Sequence, residues 1–129
     1  MAQTTMRETD KFSMATNTLT DIPATGNTVL LELPVRGLSQ AFIRFAVADQ
    51  ALDAFIVEGR ADTGAYVSLL TAITATPGGL VVAASGTLAS QAAGTSGWCV
   101  LNVRGMDQIR ISASAAVDGA DVIISASAA

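Results

Sequence analysis

A carboxylate held at the tip of a tight, glycine-containing loop is suited to proton transfer, and Asp62-Thr63-Gly64-Ala65 offers one. Two such loops meeting across a dimer let paired aspartates share a proton and activate water. The chain contains no histidine, so acid–base and metal chemistry would fall to carboxylates alone. Asp49 with Asp53, and Asp118 with Asp121, are pairs that could hold calcium together with backbone carbonyls. The glycines of Pro77-Gly78-Gly79 could approach a phosphate, Cys99 could act as a nucleophile, and Trp98 and Tyr66 could stack on a sugar ring.

Sequence context weakens each of these readings. Asp-Thr-Gly is the loop motif of the aspartic proteases, and a chain of this length could supply one half of a dimer, as the retroviral members do. Arg60 and Ala61, however, stand where that family has apolar strand residues, and no later apolar pair leads into its second glycine loop. The motif is read instead as a hairpin turn. The aspartate pairs lack the dense acidic loop of an EF-hand, and Asp suits turns without any ion. No Lys-Ser/Thr follows Pro77-Gly78-Gly79 and no helix opens after it. Cys99 shares a face with Leu101 and Val103 and has no histidine to activate it, which makes it a small core residue. Trp98 and Tyr66 lack a surrounding cluster of Asn, Gln and Asp and are read as half-buried rim positions. No catalytic residue, metal ligand or cofactor is therefore expected, and the chain is read as non-enzymatic.

The elements that carry these residues are strands. A chain of 129 residues is one domain's worth and can bury a core without staples. Hydrophobic residues make up 50% of it but aromatics only 5%, so the core must be built of Ile, Val, Leu and Ala. Seven basic against eleven acidic residues give a net charge of −4, which disfavours nucleic acid as a partner. A single cysteine excludes an internal disulfide. No apolar run approaches the roughly 18 residues of a membrane span, and no signal-peptide segment opens the chain, so a soluble protein made in a cytoplasm is expected.

Period-two alternation is clearest from Asp107 onward. Ile109, Ile111, Ala113 and Ala115 fall on one face against Gln108, Arg110, Ser112 and Ser114, and after Asp118-Gly119 the series Val122, Ile124, Ala126 continues it. Asp-Gly between two such runs predicts a C-terminal antiparallel hairpin. Further runs lie at 28–33, 40–48, 52–60, 65–71, 80–84 and 98–103, with turns between them. A short helix over Asp49–Phe55 is the alternative at the third run, but Phe55, Ile56 and Val57 before Gly59 favour a strand. About eight short strands with no 3.6-residue period predict an all-β antiparallel sandwich, jelly-roll-like, with a seven-stranded immunoglobulin-like sandwich as the alternative. Its predicted core is Ile43, Phe45, Phe55, Val57, Cys99, Leu101, Val103, Ile109, Ile111, Val122 and Ile124.

The domain boundary is placed at residue 25. Residues 1–24 are polar, Thr-rich and without periodicity, the composition of an extended N-terminal arm that cannot order itself. Residues 25–129 form the sandwich. The arm is expected either to dock on a neighbouring subunit or to fold back on its own domain. Met6, Phe12 and Met14 are its candidate anchors, and Trp98 is a fourth candidate partner contact.

From about Leu38 to Ala128 the series ALDAFIVEGR, ADTGAYVSLL and GWCVLNVRGMDQIRISASAAVDGADVIISASA, preceded by a polar arm, resembles structural proteins of tailed-bacteriophage virions, notably capsid decoration or cement proteins. The resemblance implies a β-sandwich that oligomerises, commonly as a homotrimer, on the capsid surface of the virion and binds the major capsid protein. Small tail or neck proteins of such virions look similar. An adhesin that binds a host surface glycan is the competing expectation.

Overall fold

In the computed structural model, which describes residues 13–53, 55–61, 64–68, 73–75, 87–88 and 91–129, the alternating runs are strands and their apolar faces meet. Ten strands are described: β1 (Ser13–Ile22), β2 (Thr28–Pro34), β3 (Gln40–Val47), β4 (Phe55–Arg60), β5 (Val67–Ser68), β6 (Ile73–Ala75), β7 (Thr87–Leu88), β8 (Ser96–Asn102), β9 (Gln108–Ala113) and β10 (Ala120–Ala128). Seven of them have six or more residues. One sheet runs β1-β10-β3-β8-β6 and the other β2-β9-β4-β5, with β7 also paired to β4. All of these pairings are antiparallel.

The long strands alternate between sheets along the chain: β1, β3, β8 and β10 in the first, β2, β4 and β9 in the second. Successive long strands therefore lie in opposite sheets, while β5 turns back beside β4 within one, which is jelly-roll wiring. The predicted all-β sandwich is the observed fold, and every residue of the predicted core is buried in it. Leu30, Leu33, Val35, Leu52, Ala113 and Ala120 join that core at 0% exposure. Phe45 and Phe55 bridge the two sheets, their rings 5.1 Å apart and tilted by 59°.

Three sequence expectations need correction. The predicted C-terminal hairpin does not form, because β9 pairs with β2 and β4 while β10 pairs with β1 and β3. Asp-Gly reported a glycine with positive φ, here 94° at Gly119, and not which strands lie side by side. The Ser114–Gly119 connection crosses between sheets and is held by distant backbone. Ala115 N–H donates to the Pro23 carbonyl at 3.0 Å, Ala116 N–H to Ala51 at 2.9 Å and Gly119 N–H to Ile22 at 3.3 Å.

The second correction concerns the arm. Residues 13–22, expected to belong to it, form β1, whose register with β10 runs from Ser13↔Ala128 to Leu19↔Val122. Ile22 is 1% exposed, and Ala15 and Leu19 pack on the core. Sequence periodicity was masked because the outward positions Thr16, Thr18 and Thr20 alternate with small or polar inward ones, Ala15 and Asn17. Residues 1–12 lie outside the described residues, as do the predicted run 80–84 and the end of the run 65–71.

Third, Ser112 and Ser114, expected on a solvent face, are 4% and 8% exposed. Ser112 sits between Val29 and Ile56 on neighbouring strands. The Ser114 hydroxyl donates to Asp53 Oδ2 at 3.0 Å.

Candidate interaction face

Antiparallel sheets with one buried face leave the other for solvent or partners, and here the two outer faces differ in chemistry. On the outer face of the second sheet, Glu32, Arg110 and Glu58 lie in register on β2, β9 and β4. Arg110 donates to Glu58 Oε1 through Nη2 at 2.9 Å and Nε at 3.3 Å. Arg60 Nη2 donates to Gln108 Oε1 at 3.0 Å, and Gln108 Nε2 to Glu32 Oε2 at 3.2 Å. Tyr66 lies under both guanidiniums, with Arg110 3.9 Å and Arg60 5.0 Å from its ring centre. On this face Arg110 is paired with Glu58, Arg60 keeps a buried Nε that no described hydrogen bond satisfies, and the aromatic ring is engaged by cations of its own chain.

The outer face of the first sheet carries apolar groups instead. Across it lie Met14, Ser127, Phe42 and Val100 in one row, then Thr16, Ser125, Arg44 and Trp98, then Thr18, Ile123, Ala46 and Ser96. Phe42 and Trp98 stack with ring centres 4.7 Å apart and an 11° interplanar angle. The Arg44 guanidinium lies 5.8 Å from the Phe42 ring centre. Met14 is 68% exposed and Ile123 53%. Shallow grooves run between Met14, Phe42 and Ser127 and between Thr18, Ala46 and Ile123. Apolar side chains on a solvent face that no element among the described residues covers mark a surface suited to association.

The candidate contacts read from sequence divide accordingly. Met14 and Trp98 are distant in the chain, yet both lie on this face, linked through Phe42. Met6 and Phe12 lie outside the described residues. Phe42 and Ile123, which sequence reasoning did not single out, lie on the same face; both are large apolar residues at outward positions of alternating strands, which is the signal that marks them.

Those chemical candidates that lie among the described residues make the following contacts. Gly64 N–H donates to the Ala61 carbonyl at 3.1 Å, closing a turn before β5 returns along β4, while Asp62 and Thr63 lie outside the described residues, as do Pro77, Gly78 and Gly79. Asp118 Oδ1 accepts the Ala24 N–H at 3.1 Å and Asp121 Oδ1 the Asp21 N–H at 3.2 Å, so both carboxylates brace the β1–β2 corner. Among the described residues, no three His, Cys, Asp or Glu side chains are grouped to hold a metal ion. Cys99 is fully buried, and burial pushes its thiol up to about 12. Among the described residues, no helix is long and apolar enough to cross a membrane.

Compared with solved structures, the chain superimposes on the crystal structure of SPBc2 prophage-derived protein YomS with a TM-score of 0.55, over 89% of this chain and 93% of that one. Its fold is similar to that of a prophage-derived protein. Identity to YomS is 9%, so what the two share is the path of the backbone. No protein-family model matches the chain, and no curated protein sequence does.

Proposed function

We propose that this chain is a non-enzymatic structural protein of a bacteriophage virion, which decorates the capsid surface by docking the outer face of its first sheet on the major capsid protein lattice. The observation that carries the reading is the Phe42–Trp98 stack with Met14 and Ile123 around it, a set of large apolar side chains displayed on a solvent face. Aromatic anchors flanked by small polar residues are what a protein–protein contact uses at its centre. The fold supports the reading, since a jelly roll of nearly the same extent occurs in a prophage-derived protein. The chemistry supports it too: there is no histidine, and the one thiol is buried and neutral. Nucleic acid is no part of the contact, because the described cations are spread over both faces and one, Arg110, is neutralised by Glu58.

The test is a copy-number count in purified particles, together with binding of the purified chain to particles that lack it. A decoration protein occurs at a copy number proportional to that of the major capsid protein and rebinds to emptied lattice sites. Presence at a few copies, or release by a soluble host glycan, would move the chain to a tail, neck or adhesin role and overturn the capsid reading.

A further inference from the structure

Every sheet edge presents unpaired N–H and C=O groups, and folded proteins blunt such edges with short strands, proline, charge or a covering segment. Among the described residues, the edge at β2 is blunted. β2 carries Glu32, ends in Pro34 and is clasped by Asn17, whose Nδ2 donates to the Leu30 carbonyl at 2.9 Å. β1 differs. It has ten residues, lies at the end of its sheet, and carries neither charge nor proline before Asp21. Among the described residues, no strand pairs with its outer edge.

We propose that the open edge of β1 pairs antiparallel with β1 of a second copy of this chain, joining two five-stranded sheets into one across a two-fold axis at Thr16. The register follows from the strand itself. Its regular part runs from Ser13 to Leu19, before the irregularity between Leu19 and Ile22, and Thr16 is the midpoint. Full overlap sets Thr16 against Thr16, Met14 against Thr18 and Ala15 against Asn17. Met14, 68% exposed in one chain, gains a neighbour across the axis.

Charge selects a second copy as the occupant. Antiparallel copies of an uncharged segment place no like charges opposite each other, and the two Asp21 carboxylates fall at opposite ends of the contact. The geometry also extends the docking face. Pairing at β1 sets the two outer faces side by side, so the Phe42–Trp98 stacks of both copies point the same way and can engage a repeating lattice together. This two-fold pairing replaces the threefold expected from the resemblance to decoration proteins. It does not depend on capsid binding.

The experiment uses the full chain in the absence of particles. Light scattering of wild type should give the mass of two chains. Thr16→Lys should weaken the dimer by at least about tenfold, because like charges meet at the axis, and mixing it with Thr16→Glu should restore a heterodimer. Thr16 is exposed, so both variants should fold with the far-ultraviolet circular dichroism spectrum of wild type, the melting temperature falling only by what the lost association contributed. Thr16→Cys treated with diamide should form a reducible cross-linked dimer, since residues opposite each other in an antiparallel pair lie about 4.5–5.5 Å apart. Thr20→Cys should not cross-link, the two thiols being roughly 27 Å apart at about 3.4 Å per residue. A monomeric or trimeric wild type, a Thr16→Lys dimer of undiminished affinity, or equal cross-linking at positions 16 and 20 would overturn the proposal. Particle attachment is a separate readout, so loss of one leaves the other intact.

Discussion

Asn17 Nδ2 donates to the Leu30 carbonyl at 2.9 Å, a bond from the outer strand of one sheet to the outer strand of the other. Leu30 is fully buried at an irregularity in the β2–β9 register. Its carbonyl has little access to water, and the clasp closes one side of the sandwich. Asn17→Ala should cost about 1 to 2 kcal/mol, because the acceptor is left without its partner. Urea denaturation followed by tryptophan fluorescence measures this, and an unchanged midpoint would mean that water replaces the amide.

Neighbouring residues on β9 separate core from surface. Ile111 is 1% exposed and packs between the sheets, so Ile111→Ala should cost on the order of 2 to 5 kcal/mol. Arg110→Ala, which alternation alone suggests is nearly neutral, should cost about 1 to 2 kcal/mol, because the half-buried guanidinium bonds Glu58 and covers the Tyr66 ring. Denaturation of both variants checks the order. Equal losses would contradict the assignment of strand faces.

The contrast between those two residues shows what the sequence could convey. Period-two alternation sorted Ile109 and Ile111 from Gln108 and Arg110 because burial on one face is a local property of a strand. It could not show that Arg110 meets Glu58 on β4 and Tyr66 just before β5, nor that Asp118-Gly119 joins strands in different sheets. Which strands pair is decided by burial summed over the sandwich, and a turn signal does not contain it. β1 was illegible for a related reason. Its inward residues are small or polar except Leu19 and, beyond the register irregularity, Ile22, so most of its length is placed by backbone pairing with β10 rather than by its own apolar content. Of the candidate face, Met14 and Trp98 were visible one by one, but that they share one outer face with Phe42 needed the β1–β10–β3–β8 register.

Cys99 predicts a pH dependence. Its thiol is held neutral by burial, up to about 12 against an ordinary value of 9.0. The folded chain therefore resists losing this proton while the unfolded chain does not. Below pH 9.0 the contribution to stability is fully present, and it is lost progressively as pH rises toward about 12. Native protein should accordingly fail to react with iodoacetamide at neutral pH, whereas denatured protein is alkylated readily. Mass spectrometry of the two samples decides it.

The docking face gives the prediction closest to function. Trp98→Ala removes one ring of the Phe42–Trp98 stack and a large apolar surface from the centre of the face, without touching the core beneath it. If this face holds the particle, affinity should fall by about 2 kcal/mol or more, a loss of roughly 30-fold, as for an aromatic at the centre of an interface. The same change should cost the isolated domain about 0.5 to 1.5 kcal/mol, the worth of the lost stack. Ile123→Asp tests the neighbouring strand, because Ile123 is 53% exposed and a carboxylate there is tolerated by the fold but not by an apolar contact. Arg60→Ala on the opposite outer face should leave occupancy unchanged. Measuring particle binding and thermal midpoint side by side separates the effects. Binding loss confined to Trp98 and Ile123 places the contact on the first sheet, and equal loss at Arg60 would put it elsewhere.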